Sequence, residues 1–510
     1  MNTQLKPFLY SLLLAVCFLL VKGYYFNTDD QAEHLPQVYQ ILDPDLYTKD
    51  YFVPYSNSIT TVRYYYEQLM LAVDPVFGIE LFSFLLTLLC ITVIARSVMG
   101  ISESFFPKTT AKWMAPILVL FVFYGFTVGG NHITYPSLIS STLAKAFAVF
   151  SFWKFLQGKY LLAGLTLGFG ALFQPLVGLQ LAMLLVGTRF LLHPKELKPL
   201  VQFSFPFVAV ACLILMPVLL RQGDQKALES GFYWEVLFRF RNYHHYFPSL
   251  FPIGHFAKAI GLAAIGLFSF AFLKSKMNRF YFVFVGLGMV GMLAYALGLE
   301  MNVLPQIGKT QWFKTSIWIG LLSAVGVAGF LVQLPKVSWM INRILPGSLI
   351  LFGLSTAGLV LLLNSAFIPN SAGKYMIGNR EVPDIEKMHQ WIEGETEKDI
   401  LVLVPPNDNS FSCQAKRSIP IHFTAIVHEP KFMLDWYDRY SKIYGVSLEN
   451  LKKNAKDDAV TLYQTRNYRG SEYGIDYRLD DLETCQFNDE LGPIIHQEGS
   501  WVLTEFLPSN

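Results

Sequence analysis

The stretch Asn27-Thr28-Asp29-Asp30-Gln31-Ala32-Glu33-His34-Leu35-Pro36 follows directly on the first long apolar run of the chain. Asp29 and Asp30 therefore place two adjacent carboxylates at the mouth of a membrane helix, where charge is costly unless it is used. A carboxylate held there can take a proton from an acceptor group while a lipid-borne donor lies in the bilayer beside it. Asp30 and His34 are four residues apart and share a helix face. That spacing suits either a divalent metal ion or a base oriented by hydrogen bonds. The same residues also fit a purely structural role. Thr28 as N-cap with Gln31 at the third helical position is a capping box, and acidic residues favour the positive end of a helix.

A second constellation runs from Phe238 to Ser249, with Arg239, Arg241, His244 and His245 set among aromatics. The planar guanidinium fork matches phosphate, and aromatic rings suit both sugar faces and the membrane interface. An interfacial belt helix with basic anchors has the same composition. A third lies at Gln306–Lys314, where Lys309 and Lys314 can neutralise a lipid phosphate or serve as snorkelling anchors. The sequence holds no phosphate-cradling glycine loop, no nucleophile elbow and no metalloprotease helix. In the tail, His389 and His428-Glu429 stand isolated and read as surface residues. The run Asp480-Asp481-Leu482-Glu483 reads as a solvated face.

These residues are carried on a chain of 510 residues that is 53% hydrophobic and only 15% charged, with a formal net charge of +2. That charge offers no case for nucleic-acid binding. A membrane helix needs roughly 20 apolar residues, and by that rule about eleven spans are expected. Their centres fall near Val16, Leu86, Val119, Ala148, Gly168, Met183, Val210, Ile265, Leu287, Ser323 and Gly358. The stretch from Leu161 to Phe190 is divided at Gln174-Pro175, because proline interrupts a helix. The first run, about residues 7–25, lacks a cleavage site and reads as a retained helix anchored by Lys22, Tyr24 and Tyr25. With the N-terminus inside, every inner loop is basic: Arg96, Lys108 and Lys112; Lys154 and Lys159; Arg189, Lys195 and Lys198; Lys274, Lys276 and Arg279; Lys336 and Arg343. Lys145 is the main charge within a span and is placed to snorkel.

This topology puts residues of about 26–75, 221–255 and 370–510 on the outer face. The first 369 residues form the transmembrane domain, and 370–510 form a soluble extracytoplasmic domain. In that domain, helix-like Pro383–Ile392 and Pro430–Ile443 alternate with strand-like Ile400–Val404 and Arg417–Phe423. A closing hairpin joins Ile494-Ile495 to Trp501–Leu503, and the pattern is that of a small α/β domain. Cys413 and Cys485 both fall in this domain and can form a disulfide if it is extracytoplasmic.

With these residues in place, the chain resembles the GT-C superfamily of membrane glycosyltransferases. It is closest to a family of uncharacterised bacterial multi-pass proteins related to it. The matching pieces are Asp30-Gln31 with His34-Leu35-Pro36, Gln174–Gly178, Phe238-Arg239 through Pro248, Trp391-Ile392, Leu403–Pro406 and Ala415–Arg417. The pattern departs at Gln174, where a histidine is expected, and at Tyr243, where a proline is expected. The resemblance implies a GT-C-like multi-pass inner-membrane protein with an inside N-terminus, acting on a polyprenyl-phosphate sugar donor and a glycan, lipid or protein acceptor. It implies Asp30 as general base or metal ligand, with Asp29 supporting it. Arg241, with Arg239 or Lys314, would neutralise the phosphate, while His34, His244 and His245 orient the reactants. Two other classes stay open: a transporter or flippase of a lipid-linked substrate, and a non-catalytic membrane assembly protein.

Overall fold

A computed structural model describes residues 5–27, 30–107, 109–273, 275, 277–335, 376–377, 382–465, 473–485 and 492–507. The chain divides into two units. The first comprises Met1–Phe26, Glu80–Met216 and His244–Asn379, and the second comprises Asn27–Ile79, Pro217–Tyr243 and Arg380–Asn510. The second unit thus joins residues 27–79 and 217–243 to the C-terminal segment 380–510.

The first unit is helical. Every expected centre from Val16 to Ser323 falls within a helix or a helical turn, while Gly358 lies outside the described residues. Among the described residues, seven helices are long and apolar enough to cross a membrane, fewer than the eleven read from apolar runs. Three of the others are cut short by identifiable breaks. Ala111–Ile117 passes into a π-helical turn at Leu118–Val122. Ser140–Leu156 ends just before Gly158, whose φ of +74° is left-handed. Tyr160–Phe173 stops at Gln174 in an extended conformation, and Pro175 opens the next helix, Pro175–Leu192, where its missing N–H costs nothing.

Small residues let these helices approach closely. A side chain at Gly164 would strike the Phe203 carbonyl, and one at Gly168 would lie 2.7 Å from Val210 Cβ. The segment Pro305–Leu331 is the most enclosed of the apolar segments, with 78% of its apolar window buried. Leu197–Asp224 instead turns residues such as Phe205, 73% exposed, outward, as a lipid-facing helix must. Lys145 does not snorkel. It is fully buried, and its Nζ donates to Asn131 Oδ1 at 2.7 Å and to the His132 carbonyl at 2.6 Å. A short antiparallel pair, β1 (Tyr24–Tyr25) with β2 (Met376–Ile377), ties the end of the first helix to a distant part of the chain.

The second unit holds a four-stranded sheet. Its strands are β3 (Val402–Leu403), β4 (Tyr477–Asp481), β5 (Ile494–Glu498) and β6 (Trp501–Glu505), in the order β3-β4-β6-β5. Only β3 and β4 run parallel. β5 and β6 form the expected hairpin across Gly499, whose φ is +57°. The helices Asp384–Glu395 and Phe411–Ala415 close over one face through Met388, Ile392, Phe411, Val402, Leu479 and Leu503. Arg417–Phe423 is not a strand, because only Ser418 bridges to Leu401 and the rest of the segment bonds to side chains instead. Phe240, from the segment 217–243, packs edge-on against Trp436 and Tyr437 of the helix Pro430–Tyr444.

Candidate functional site

Asp30 caps the helix Gln31–Leu42 and is exposed, and its carbonyl accepts from the N–H groups of Glu33 and His34 at 3.2 and 3.1 Å. The expected capping box does not form. Gln31 is the first helical residue rather than the third, and its Oε1 reaches back to the Asn27 N–H at 3.0 Å. Asn27 takes a left-handed φ of 65°, which turns the chain sharply enough for that reach. Asp29 and Thr28 lie outside the described residues.

Glu33, one turn into the helix, is largely enclosed and meets Arg63 in an ion pair of 2.8 Å. Burial pushes the Glu33 carboxyl above its ordinary range. Arg63 opposes that rise, Asp30 adds to it, and Arg241 and His422 oppose it. Ionisable groups from all three segments of the second unit therefore act on one carboxyl group.

His34 does not share the exposed side with Asp30. It is 3% exposed and sits edge-on to Tyr66, with ring centroids 5.2 Å apart. Burial, assisted by the Arg63 charge, holds its pKa well below the usual value, so the ring is neutral at pH 7. Its Nδ1 is buried without a hydrogen-bond partner. A divalent ion between Asp30 and His34 does not fit this arrangement, since one side chain faces solvent and the other is enclosed. Among the described residues no three His, Cys, Asp or Glu side chains group as metal ligands.

Arg239 and Arg241 lie on a π-helical segment, Glu235–Arg241, which turns them to different surroundings. Arg239 is exposed and pairs with Glu235 at 3.0 Å. Arg241 is buried and donates to Asn242 Oδ1 at 2.8 Å and to the Thr424 carbonyl at 2.6 Å, with its guanidinium 4.7 Å from the Phe423 ring. Its planar fork is occupied in holding the tail segment to the loop. His245 and Lys314 are partly exposed and belong to the first unit, and the His244 side chain lies outside the described residues.

Several residues that the sequence does not flag carry the polar interior of the second unit. Asp50 accepts from the N–H groups of Phe52, Val53 and Ile419 at 2.8, 2.9 and 3.1 Å, and it pairs with His422 at 3.1 Å. Burial raises the Asp50 pKa, but His422 and these N–H donors outweigh it and the net shift is downward. His389 is not a surface residue. It is fully buried between Asp408 at 2.8 Å and Gln414 at 2.9 Å. Glu429 is likewise buried, while His428 is exposed. Glu429 meets Arg221 at 2.5 Å, Tyr55 at 3.0 Å and Gln225 at 3.2 Å, so one carboxylate joins all three segments of the second unit. Asp480 is not part of a solvated face, being buried with Arg478 at 2.6 Å. Cys413 and Cys485 are free thiols rather than a disulfide. Cys413 donates to Asn27 Oδ1 at 3.2 Å, and Cys485 to Asp480 Oδ1 at 3.5 Å.

Residues 383–443 match the family model described as Domain of unknown function (DUF6798). No curated protein matches the chain. Among solved structures, the chain is similar to the apo oligosaccharyltransferase of Archaeoglobus fulgidus, at 13% identity over 93% of this chain and 70% of that one, with a TM-score of 0.49. It is also similar to the oligosaccharyltransferase AglB of that archaeon in complex with an inhibitory peptide and a dolichol-phosphate, at 11% identity over 93% and 69% of the two chains, TM-score 0.42. The complex of the Archaeoglobus fulgidus enzyme with Zn and sulfate gives 12% identity over 93% and 68%, TM-score 0.40.

Proposed function

We propose that this chain is a membrane glycosyltransferase that moves a sugar from a polyprenyl-phosphate-linked donor to an extracytoplasmic glycan, lipid or protein. The observation that carries this reading is the exposed Asp30 carboxylate at the start of the helix Gln31–Leu42, with the Glu33–Arg63 ion pair one turn on, in a polar unit. The chain supplying that unit is interspersed with helices long and apolar enough to cross a membrane. The basic residues of the expected inner loops favour a cytoplasmic N-terminus and an outer-face site.

The reaction is a single displacement. The acceptor nucleophile bonds to the anomeric carbon, the bond from that carbon to the phosphate oxygen breaks, and polyprenyl phosphate leaves with the electron pair. Asp30 takes the acceptor proton. Asp29 is the second carboxylate of the pair, and Glu33 with its raised pKa is a further proton-holding group beside it. Arg239, an exposed guanidinium of the same unit, contacts the donor phosphate. Arg241 supports the site from within, by its charge and by fixing Thr424. His34 fills the interior of the loop. The test is transfer of labelled sugar by membranes carrying Asp30→Asn, offered a panel of polyprenyl-phosphate sugars. The expected loss is about 100-fold or more. Transfer at the wild-type rate by a folded Asp30→Asn protein removes Asp30 from the mechanism.

A further inference from the structure

A helix at a protein surface in water turns its charges outward and its apolar stripe inward. The helix Tyr64–Phe77, within the second unit, does the reverse. Its enclosed side carries Glu67, set between the fully buried Tyr66 and Met70. Arg63, at the N-cap, turns to Glu33 at 2.8 Å instead of to solvent. Asp74 lies two turns beyond Glu67, on that same side, and is half-buried. The exposed side holds Tyr64, Gln68, Ala72, Pro75 and Val76. None of these is charged, and Val76 is 72% exposed. Tyr65 and Leu71, both half-buried, flank this face and continue its apolar character.

The chain itself fixes where this helix ends. A single residue, Gly78, separates it from the apolar helix Ile79–Phe105, which is long enough to cross a membrane. Gly78 has a φ of +69° and its N–H bonds to the Asp74 carbonyl, so the helix closes there and does not run on as one rod. The last turn is thus held close to the end of a membrane span. An uncharged, outward face gains nothing from water, whereas a lipid interface buries it. Tyrosine suits the headgroup level, where its ring is enclosed and its hydroxyl stays wet.

We propose that the helix Tyr64–Phe77 lies in the bilayer interface along its whole length, with the face of Tyr64, Gln68, Ala72, Pro75 and Val76 set among lipid headgroups and upper acyl chains. The occupant of the face is the lipid surface, because the face carries no charge and the chain passes into a membrane helix one residue after it. The inference stands apart from the transferase reading. Its consequence is positional. The Arg63–Glu33 ion pair ties the helix Gln31–Leu42, which starts at Asp30, to a segment held on the membrane.

The test uses the full-length protein in phosphatidylcholine nanodiscs, with a nitroxide attached through a ketone-bearing residue at Gln68, Ala72 or Val76. That chemistry leaves the native cysteines untouched, and each position is exposed, so the label displaces no packed side chain. Glu395, exposed at the end of the helix Asp384–Glu395, is the aqueous reference. Collision with oxygen, which concentrates in lipid, is compared with collision with a water-soluble nickel chelate. The oxygen-to-nickel ratio is expected to exceed the Glu395 value severalfold at each of the three positions. A ratio matching Glu395 at Gln68 or Ala72 overturns the proposal, even with a lipid-like value at Val76, because the helix would then leave the bilayer at its end. Exclusion of both reagents at Gln68 and Ala72 also overturns it, since protein would then cover the face. No sugar transfer is read, so the result is separate from that of Asp30→Asn.

Discussion

At the scale of single residues, the second unit is governed by buried ionisable groups. Glu67, on the helix Tyr64–Phe77, is 5% exposed, its Oε1 has no hydrogen-bond partner, and burial outweighs the pull of Arg63 to push its pKa up to about 7. A carboxyl whose folded pKa is raised costs stability once the unfolded chain ionises first. The protein should therefore lose stability as pH rises from about 4.5 to about 7. Glu67→Gln removes this loss, so thermal unfolding in detergent should show a higher midpoint for the variant above pH 7 and a small difference below pH 4.5. An unchanged pH profile would show that Glu67 is not enclosed. His389 has the opposite sign. Burial disfavours its charge, but Asp408 and Gln414 outweigh burial and raise its pKa above 6.5. The stability it supplies is complete below that ordinary value and is lost as pH rises through the higher folded one. Asp50→Ala would strand His422 and three backbone N–H groups, and an unfolding free energy lower by about 3–5 kcal/mol is expected from denaturant titration.

At the scale of elements, the close approach of the helices Tyr160–Phe173 and Leu197–Asp224 depends on missing side chains. At Gly164 a methyl group would meet the Phe203 carbonyl, a backbone atom that cannot swing aside. Gly164→Val should force the pair apart and cost about 1–3 kcal/mol or more, read as a lowered melting temperature. Gly261, where a Cβ meets nothing, is the control and should accept alanine with little change. Local patterns made much of this level legible. Apolar run length located the helices, Pro175 marked a true boundary, and the hairpin around Gly499 followed from its turn residue. The polar interior was not legible in the same way. His389 and Asp408 are 19 residues apart, Asp50 and His422 are 372 apart, and no periodicity connects such partners. Asp480 looked solvated because a run of acids gives no sign that Arg478, two residues away, will be buried with it. The acidic motif at Asp30 was visible because its meaning is local to a helix start. Glu33 gained its significance only from Arg63, brought in by the fold.

At the scale of the whole molecule, the polar unit is assembled from three segments far apart in the chain, 27–79, 217–243 and 380–510. Glu429 holds Arg221, Gln225 and Tyr55, Arg241 holds Thr424, and Phe240 packs against Trp436. A fragment of residues 380–510 alone would expose these surfaces and strip Glu429 of Arg221, Tyr55 and Gln225. Such a fragment should be cut rapidly in limited proteolysis and show weak near-ultraviolet dichroism. Rapid, cooperative folding of the isolated fragment would contradict the shared core.

The stitching of this unit also sets a schedule. A ribosome delivers Asp30 early, Arg241 about midway and Thr424 late, so the carboxylate waits through most of synthesis before its surroundings exist. A nascent protein stalled ahead of Glu429 would carry its acid on an unfinished mount. The pocket around that acid would then take shape only once Thr424 and Glu429 have emerged.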